Sequence, residues 1–168
     1  MSDCPPRTAL VVGLGSPLMG DDGLGLSALA RLQEAWSLPR TVELLDGGIW
    51  GLNLLHAIES AEQVLFLDAV RAGRRPGTVV ELTREELPRM LGLKLSPHQI
   101  GLQEVFALLE LRGAAPPEMV CLGLEPASIE LRHGLSPLVT ARLDALAAAA
   151  ARRLRAWGHR VHRRRVYA

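Results

Sequence analysis

The stretch Val11-Val12-Gly13-Leu14-Gly15-Ser16-Pro17-Leu18-Met19-Gly20-Asp21-Asp22-Gly23-Leu24-Gly25 decides how this chain folds. A β-branched apolar run stops at glycine. A glycine-rich turn follows, and a helical pattern starts after the aspartate pair. Dinucleotide-binding loops share this order of strand, turn and helix, and they receive phosphate on bare backbone N–H groups at the helix start. Here two carboxylates stand at that point, and they repel phosphate and attract a cation. Leu18 replaces the third glycine of the dinucleotide fingerprint, and Pro17 removes an N–H that a phosphate would use. The stretch therefore reads as an acidic site on a nucleotide-binding-like scaffold, and a nucleotide-binding protein is disfavoured.

Outward from this stretch the chain alternates. Strands are predicted over Thr8–Leu14, Thr41–Leu45, Gln63–Ala69, Thr78–Leu82 and Met119–Leu124. Helices are predicted over Asp22–Trp36, Gly51–Ser60, Gln99–Arg112 and Pro137–Gly158. Within Gln63–Ala69, Val64, Leu65, Phe66 and Leu67 form a continuous apolar run, as a central strand buried on both faces would. Residues 71–77 are too few for a parallel crossover, so the fourth strand should run antiparallel to the third. The fold class expected is α/β: a twisted, mostly parallel five-stranded sheet with one antiparallel strand and helices on both faces. At 168 residues a single domain spanning 1–168 is expected. Its Arg-rich end, about 159–168, reads as a flexible basic tail.

Composition narrows the function. The net charge is +1, so no global field points to nucleic acid or membrane. Cys4 and Cys121 form neither a disulfide framework nor a CxxC pair. The N-terminus lacks the pattern of a secretory signal, and no apolar run approaches a membrane span. A cytoplasmic protein is expected, and a monomer.

Ligands of mostly parallel sheets bind at the carboxyl ends of the strands, near the switch in strand order. The polar residues expected there are Asp21 and Asp22, Asp46, Asp68, His98 in the loop before the third helix, and Glu125. Asp22, Asp68 and His98 could converge into a mixed oxygen and nitrogen set that suits a divalent transition metal. Each also has a plain structural reading. Aspartates at helix starts commonly cap, aspartates ending strands commonly hold turns, and a histidine after proline is commonly a turn residue. Cys121 reads as a core thiol, and His56, His133, His159 and His162 as weaker candidates. No G-x-S-x-G nucleophile elbow and no H-E-x-x-H zinc motif occurs.

Several motifs, in order, resemble those of the maturation endopeptidases of nickel–iron hydrogenases. They are the Gly13–Gly25 stretch, Leu45-Asp46-Gly47-Gly48-Ile49-Trp50-Gly51-Leu52, Leu67-Asp68-Ala69-Val70, Ser96-Pro97-His98-Gln99-Ile100-Gly101-Leu102, and Gly123-Leu124-Glu125-Pro126 with Gly134-Leu135-Ser136-Pro137. The resemblance spans about residues 8–155. It implies a protease that removes a C-terminal extension from the hydrogenase large-subunit precursor after nickel insertion. It also implies that Asp22, Asp68 and His98 are the metal-contacting and catalytic residues. The nickel would come with the substrate and be weakly bound or absent in the free enzyme. A nickel-binding assembly chaperone is the alternative from another class. Ser16 stands where many members have Asn, and Asp22 where some have Glu. Asp21 is expected to be secondary to Asp22, capping the helix or facing solvent.

Overall fold

The computed structural model describes residues 7–49, 51–88 and 97–165. Its main sheet has five strands: β1 (Ala9–Leu14), β3 (Val42–Gly48), β4 (Gln63–Ala69), β5 (Val79–Thr83) and β6 (Glu118–Leu124). The spatial order is β3-β1-β4-β6-β5. The first four are parallel, and β5 runs antiparallel to β6. A two-stranded ribbon pairs β2 (Trp36–Ser37) with β7 (His162–Arg163). The helices are α1 (Leu24–Ala35), α2 (Leu55–Glu59), α3 (Pro97–Arg112), α4 (Pro137–Thr140) and α5 (Leu143–Ala156).

Every residue of β1 and of β4 is buried, including the polar Gln63 and Asp68 at the two ends of the β4 apolar run Val64–Leu67. Side chains alternate between two cores. Val11, Leu65, Leu67 and Leu122 pack under α1 and α5, against Leu24, Ala28, Leu32, Ala147 and Leu154. Leu10, Val12, Val64 and Phe66 face the other way, toward α2 and α3, against Ile58, Leu102, Val105 and Leu109. There Phe66 and Phe106 meet edge to face at 5.6 Å between ring centroids. No helix among the described residues is long and apolar enough to cross a membrane.

Two glycines fix the entry of α1. A Cβ on Gly25 would lie 2.1 Å from the Leu67 carbonyl oxygen and 2.4 Å from that of Leu14. Only a residue without a Cβ lets the first turn of the helix sit on both strands. Gly15 has φ +111°, and its Cβ would fall 1.8 Å from the Asp22 carbonyl oxygen.

The strand expected to be antiparallel is so, but it does not lie beside β4. Strand β6 enters between them and pairs with both. The helix expected through Trp36 ends at Ala35, because Trp36 is extended and pairs with Arg163. The last helix is broken at 141–142, just after Thr140, whose hydroxyl bonds back to the Ser136 carbonyl. The second helix opens as a 3-10 turn, Gly51–Leu54, before α2.

Residues 159–165 correct the expectation of a flexible tail. Val161 and His159 are buried. The His159 ring nitrogens bridge Thr41 Oγ1 at 2.9 Å and Gln63 Oε1 at 2.8 Å. Arg164 Nε donates to the Trp36 carbonyl at 3.1 Å, and the Arg155 guanidinium lies over the Trp36 ring at 4.9 Å. The arginine-rich composition concealed an apolar and hydrogen-bonded anchor.

Burial holds the His159 imidazole below its ordinary range. The unfolded chain therefore takes up a proton first as pH falls through about 6.5, and stability declines below that pH. Thermal melts at about pH 7.5 and about pH 5.5 should show a clear loss in the wild type. The loss should be smaller in His159→Gln, which has no group to titrate there. An equal loss in both would remove His159 from the cause.

Candidate active site at the carboxyl edge of the sheet

The chain leaves β1 toward α1 on one face, and leaves β4 toward β5 and then α3 on the other face. The carboxyl ends of these two neighbouring strands therefore border a switch point, where open α/β sheets form their ligand crevice. Asp22 follows β1 and Asp68 is the penultimate residue of β4. Both are buried.

Asp22 sits in a 3-10 turn, Gly20–Gly23, that packs against β4. It does not cap α1, whose N-cap is Gly23 with no side-chain bond. Instead its Oδ2 accepts from the Ser16 N–H at 2.9 Å. The Ser16 hydroxyl accepts from Leu18 N at 3.4 Å and closes the turn locally. A carboxylate carries about four lone-pair sites, so a bond to one oxygen does not exhaust it as a ligand.

Asp68 alternates with Val64 and Phe66 and so belongs to the face covered by α3. Its Oδ1 accepts from the Ala69 N–H at 2.7 Å. His98 lies in the first turn of α3 rather than in a loop before it. The C-terminal end of α3 is tied to the base of the sheet by Arg112–Glu59 at 2.5 Å, just before β4 begins. The first turn of α3 therefore lies toward the carboxyl edge, on the Asp68 face. The His98 side chain is outside the described residues. Among the described residues no group of three His, Cys, Asp or Glu side chains could hold a metal ion.

Asp21 departs from expectation. It neither caps α1 nor faces solvent, being fully buried. Its Oδ1 accepts from Ser136 N at 2.7 Å. Its Oδ2 accepts from Ala127 N at 2.9 Å, Ser128 N at 3.1 Å and Ser136 Oγ at 2.9 Å. Burial pushes its carboxyl upward, but the N–H groups of Ser136, Ser128 and Ala127 and the Ser136 hydroxyl outweigh that. The group is held below the ordinary carboxylate range. The backbones join as well: Gly20 N donates to Arg132 O at 2.8 Å, Asp21 N to Ser128 O at 3.1 Å and Arg132 N to Leu18 O at 3.0 Å.

Glu125 is also an anchor. It is buried, and its Oε2 accepts from Ala72 N at 2.8 Å and Arg74 N at 3.0 Å, holding the loop after β4. Asp46, His56 and His133 are exposed. Cys121 is a buried core residue of β6, and Cys4 lies outside the described residues.

This fold recurs in known proteins. The family model described as hydrogenase maturation protease matches residues 27–153. The chain belongs to that family. The hydrogenase expression/formation protein HupD of Rhodobacter capsulatus is 41% identical over 155 residues, covering 91% of this chain and 74% of its own. The hydrogenase 2 maturation protease of Escherichia coli K12 is 35% identical over 136 residues, covering 80% of this chain and 83% of its own. The solved structure of the hydrogenase maturating endopeptidase HybD from E. coli matches with a TM-score of 0.89 at 33% identity, over 94% of this chain and 98% of that one. The family's mixed five-stranded sheet is the one described above. The matched segment of the family model begins beyond Asp22, so membership alone assigns that residue no role.

Sequence reasoning missed Ser136 as the partner of Asp21. One signal was available: Ser136-Pro137 has the serine N-cap and first-turn proline of a helix start. In a hydrogenase maturation protease of this build, Asp21→Asn should be far costlier than loss of a helix cap. The amide would turn N–H groups against N–H donors in a dry site. The expected loss is on the order of 3 kcal/mol, read from the urea midpoint. A loss under about 1 kcal/mol would return Asp21 to the rank of an ordinary cap.

Proposed function

We propose that this chain removes a C-terminal extension from the large-subunit precursor of a nickel–iron hydrogenase, and that the nickel already in the precursor directs it to the cleavage point. The observation that carries this reading is the placement of Asp22 and Asp68 at the switch-point crevice of a hydrogenase maturation protease, with the first turn of α3 on the same edge.

Asp22, Asp68 and His98 are the residues to contact the nickel. Two carboxylates and an imidazole are hard and borderline donors, and they complement a precursor that supplies soft thiolates. Docking through the metal places the scissile amide at the crevice. There a carboxylate orients a water molecule, whose oxygen adds to the carbonyl carbon while its proton passes to the carboxylate and on to the departing amine. The free enzyme then needs no resident metal of its own.

The surroundings suit a polypeptide. Leu18 and Leu131 are exposed on the loops joined through Asp21, and Ile49 and Leu52 are exposed after β3 on the other side of Asp22. Exposed apolar residues grouped around one edge mark an interaction surface.

Purified enzyme mixed with nickel-loaded precursor should reduce the precursor's mass by the length of the extension, and nickel-free precursor should stay intact. A stable complex with no mass change would favour the chaperone. His98→Ala and Asp22→Asn should melt near the wild-type temperature and lose at least about 100-fold in cleavage rate, as for loss of an orienting ligand. Wild-type rates at limiting enzyme would remove the altered residue from the site.

A further inference from the structure

Asp21 is not among the residues assigned to the nickel, yet four donors converge on it next to one that is. We propose that Asp21 is a positioning residue: gripped by the 127–136 loop, it fixes the direction of the Asp22 carboxylate. Its consequence for cleavage rests on the function proposed above.

Consecutive residues in a 3-10 turn project roughly 120° apart. With Asp21 held toward Ala127, Ser128 and Ser136, Asp22 must point elsewhere, and its Oδ2 meets Ser16 N at 2.9 Å. The backbone between them has little slack. Asp21 N is bound to Ser128 O, Asp22 N to Met19 O at 3.2 Å, and the Asp22 carbonyl abuts Gly15. The far end is anchored too. Ser136 caps α4, its Oγ accepting from Val139 N at 3.3 Å while it donates to Asp21 Oδ2. A continuous path therefore runs from the start of α4 through Ser136 and Asp21 to Asp22 and Ser16.

A plain structural anchor would need only to hold the loop. What marks a positioning role is that the far end of the path, the Ser16 N–H, reports where the Asp22 carboxylate lies. Misplacement of a reacting or docking group by about 1 Å can cost on the order of 100-fold in rate.

The test follows the Ser16 amide by hydrogen exchange in the full-length protein, with cleavage of nickel-loaded precursor measured in parallel. The variants are Asp21→Asn, the milder Ser136→Ala, and Ser136→Thr, which keeps the hydroxyl. In Ser136→Ala the Ser16 amide should exchange at least about tenfold faster, together with the 127–136 amides, while β1 and β4 keep their protection. Cleavage should fall about tenfold, and Ser136→Thr should recover both. Faster exchange at 127–136 with Ser16 unchanged would overturn the proposal. So would faster Ser16 exchange with cleavage at the wild-type rate. If the wild type cleaves nothing, the proposed function fails, and Ser16 exchange alone still decides whether Asp21 positions Asp22.

Discussion

The first turn of α1 lies on the carbonyl groups of β1 and β4, and the site is built around that approach. A methyl group at Gly25 would strike the carbonyl oxygens of Leu14 and Leu67. Because it is absent, the helix starts inside the crevice between the two strands rather than above it. The Gly20–Gly23 turn is pulled in with it, and two carboxylates become buried. Buried carboxylates are costly unless donors reach them. The rest of the edge supplies those donors: Ser16 for Asp22, and the 127–136 loop for Asp21. A packing requirement at one glycine thus dictates hydrogen bonds on loops more than a hundred residues away.

The same geometry explains why a nucleotide-like scaffold carries no nucleotide signature. In phosphate loops, N–H groups at the helix start are left for the ligand. Here the Ser16 N–H is taken by Asp22 from within the chain. The Asp22 N–H is taken by the Met19 carbonyl, and the Asp21 N–H by the Ser128 carbonyl. Internal acceptors occupy the place of the phosphate, and the sign of charge offered to a ligand is reversed.

Local patterns were readable from the residues. Gln63–Ala69 was found with its observed bounds because the unbroken apolar run Val64–Leu67 marks a strand buried on both faces. The direction of β5 followed from the length of the preceding loop, but its neighbour did not, since nothing in Thr78–Leu82 shows that β6 will enter between β5 and β4. Asp22 and Asp68 were legible as strand-end carboxylates. The work of Asp21 was not, because its partners lie 106 to 115 residues away and are mostly backbone N–H groups, which every sequence has. The terminal segment failed for a related reason. Net charge described its exposed arginines and hid Val161 and His159, whose burial depends on Trp36, Thr41 and Gln63.

The acidic residues of the carboxyl edge therefore fall into two kinds, although composition treats them alike. Asp21 and Glu125 accept from backbone N–H groups of loops, Asp21 from the loop after β6 and Glu125 from the loop after β4. Such bonds use the acceptor-only nature of an ionised carboxylate to gather donors that have no strand or helix partner. Asp22 and Asp68 accept from amides of their own turn or next residue, which fixes each side chain close to the end of its strand. Rigid placement of the second kind depends on the first. If either loop were released, the crevice walls would move relative to β1 and β4, and the side chains on them would lose the fixed geometry that preorganised chemistry requires.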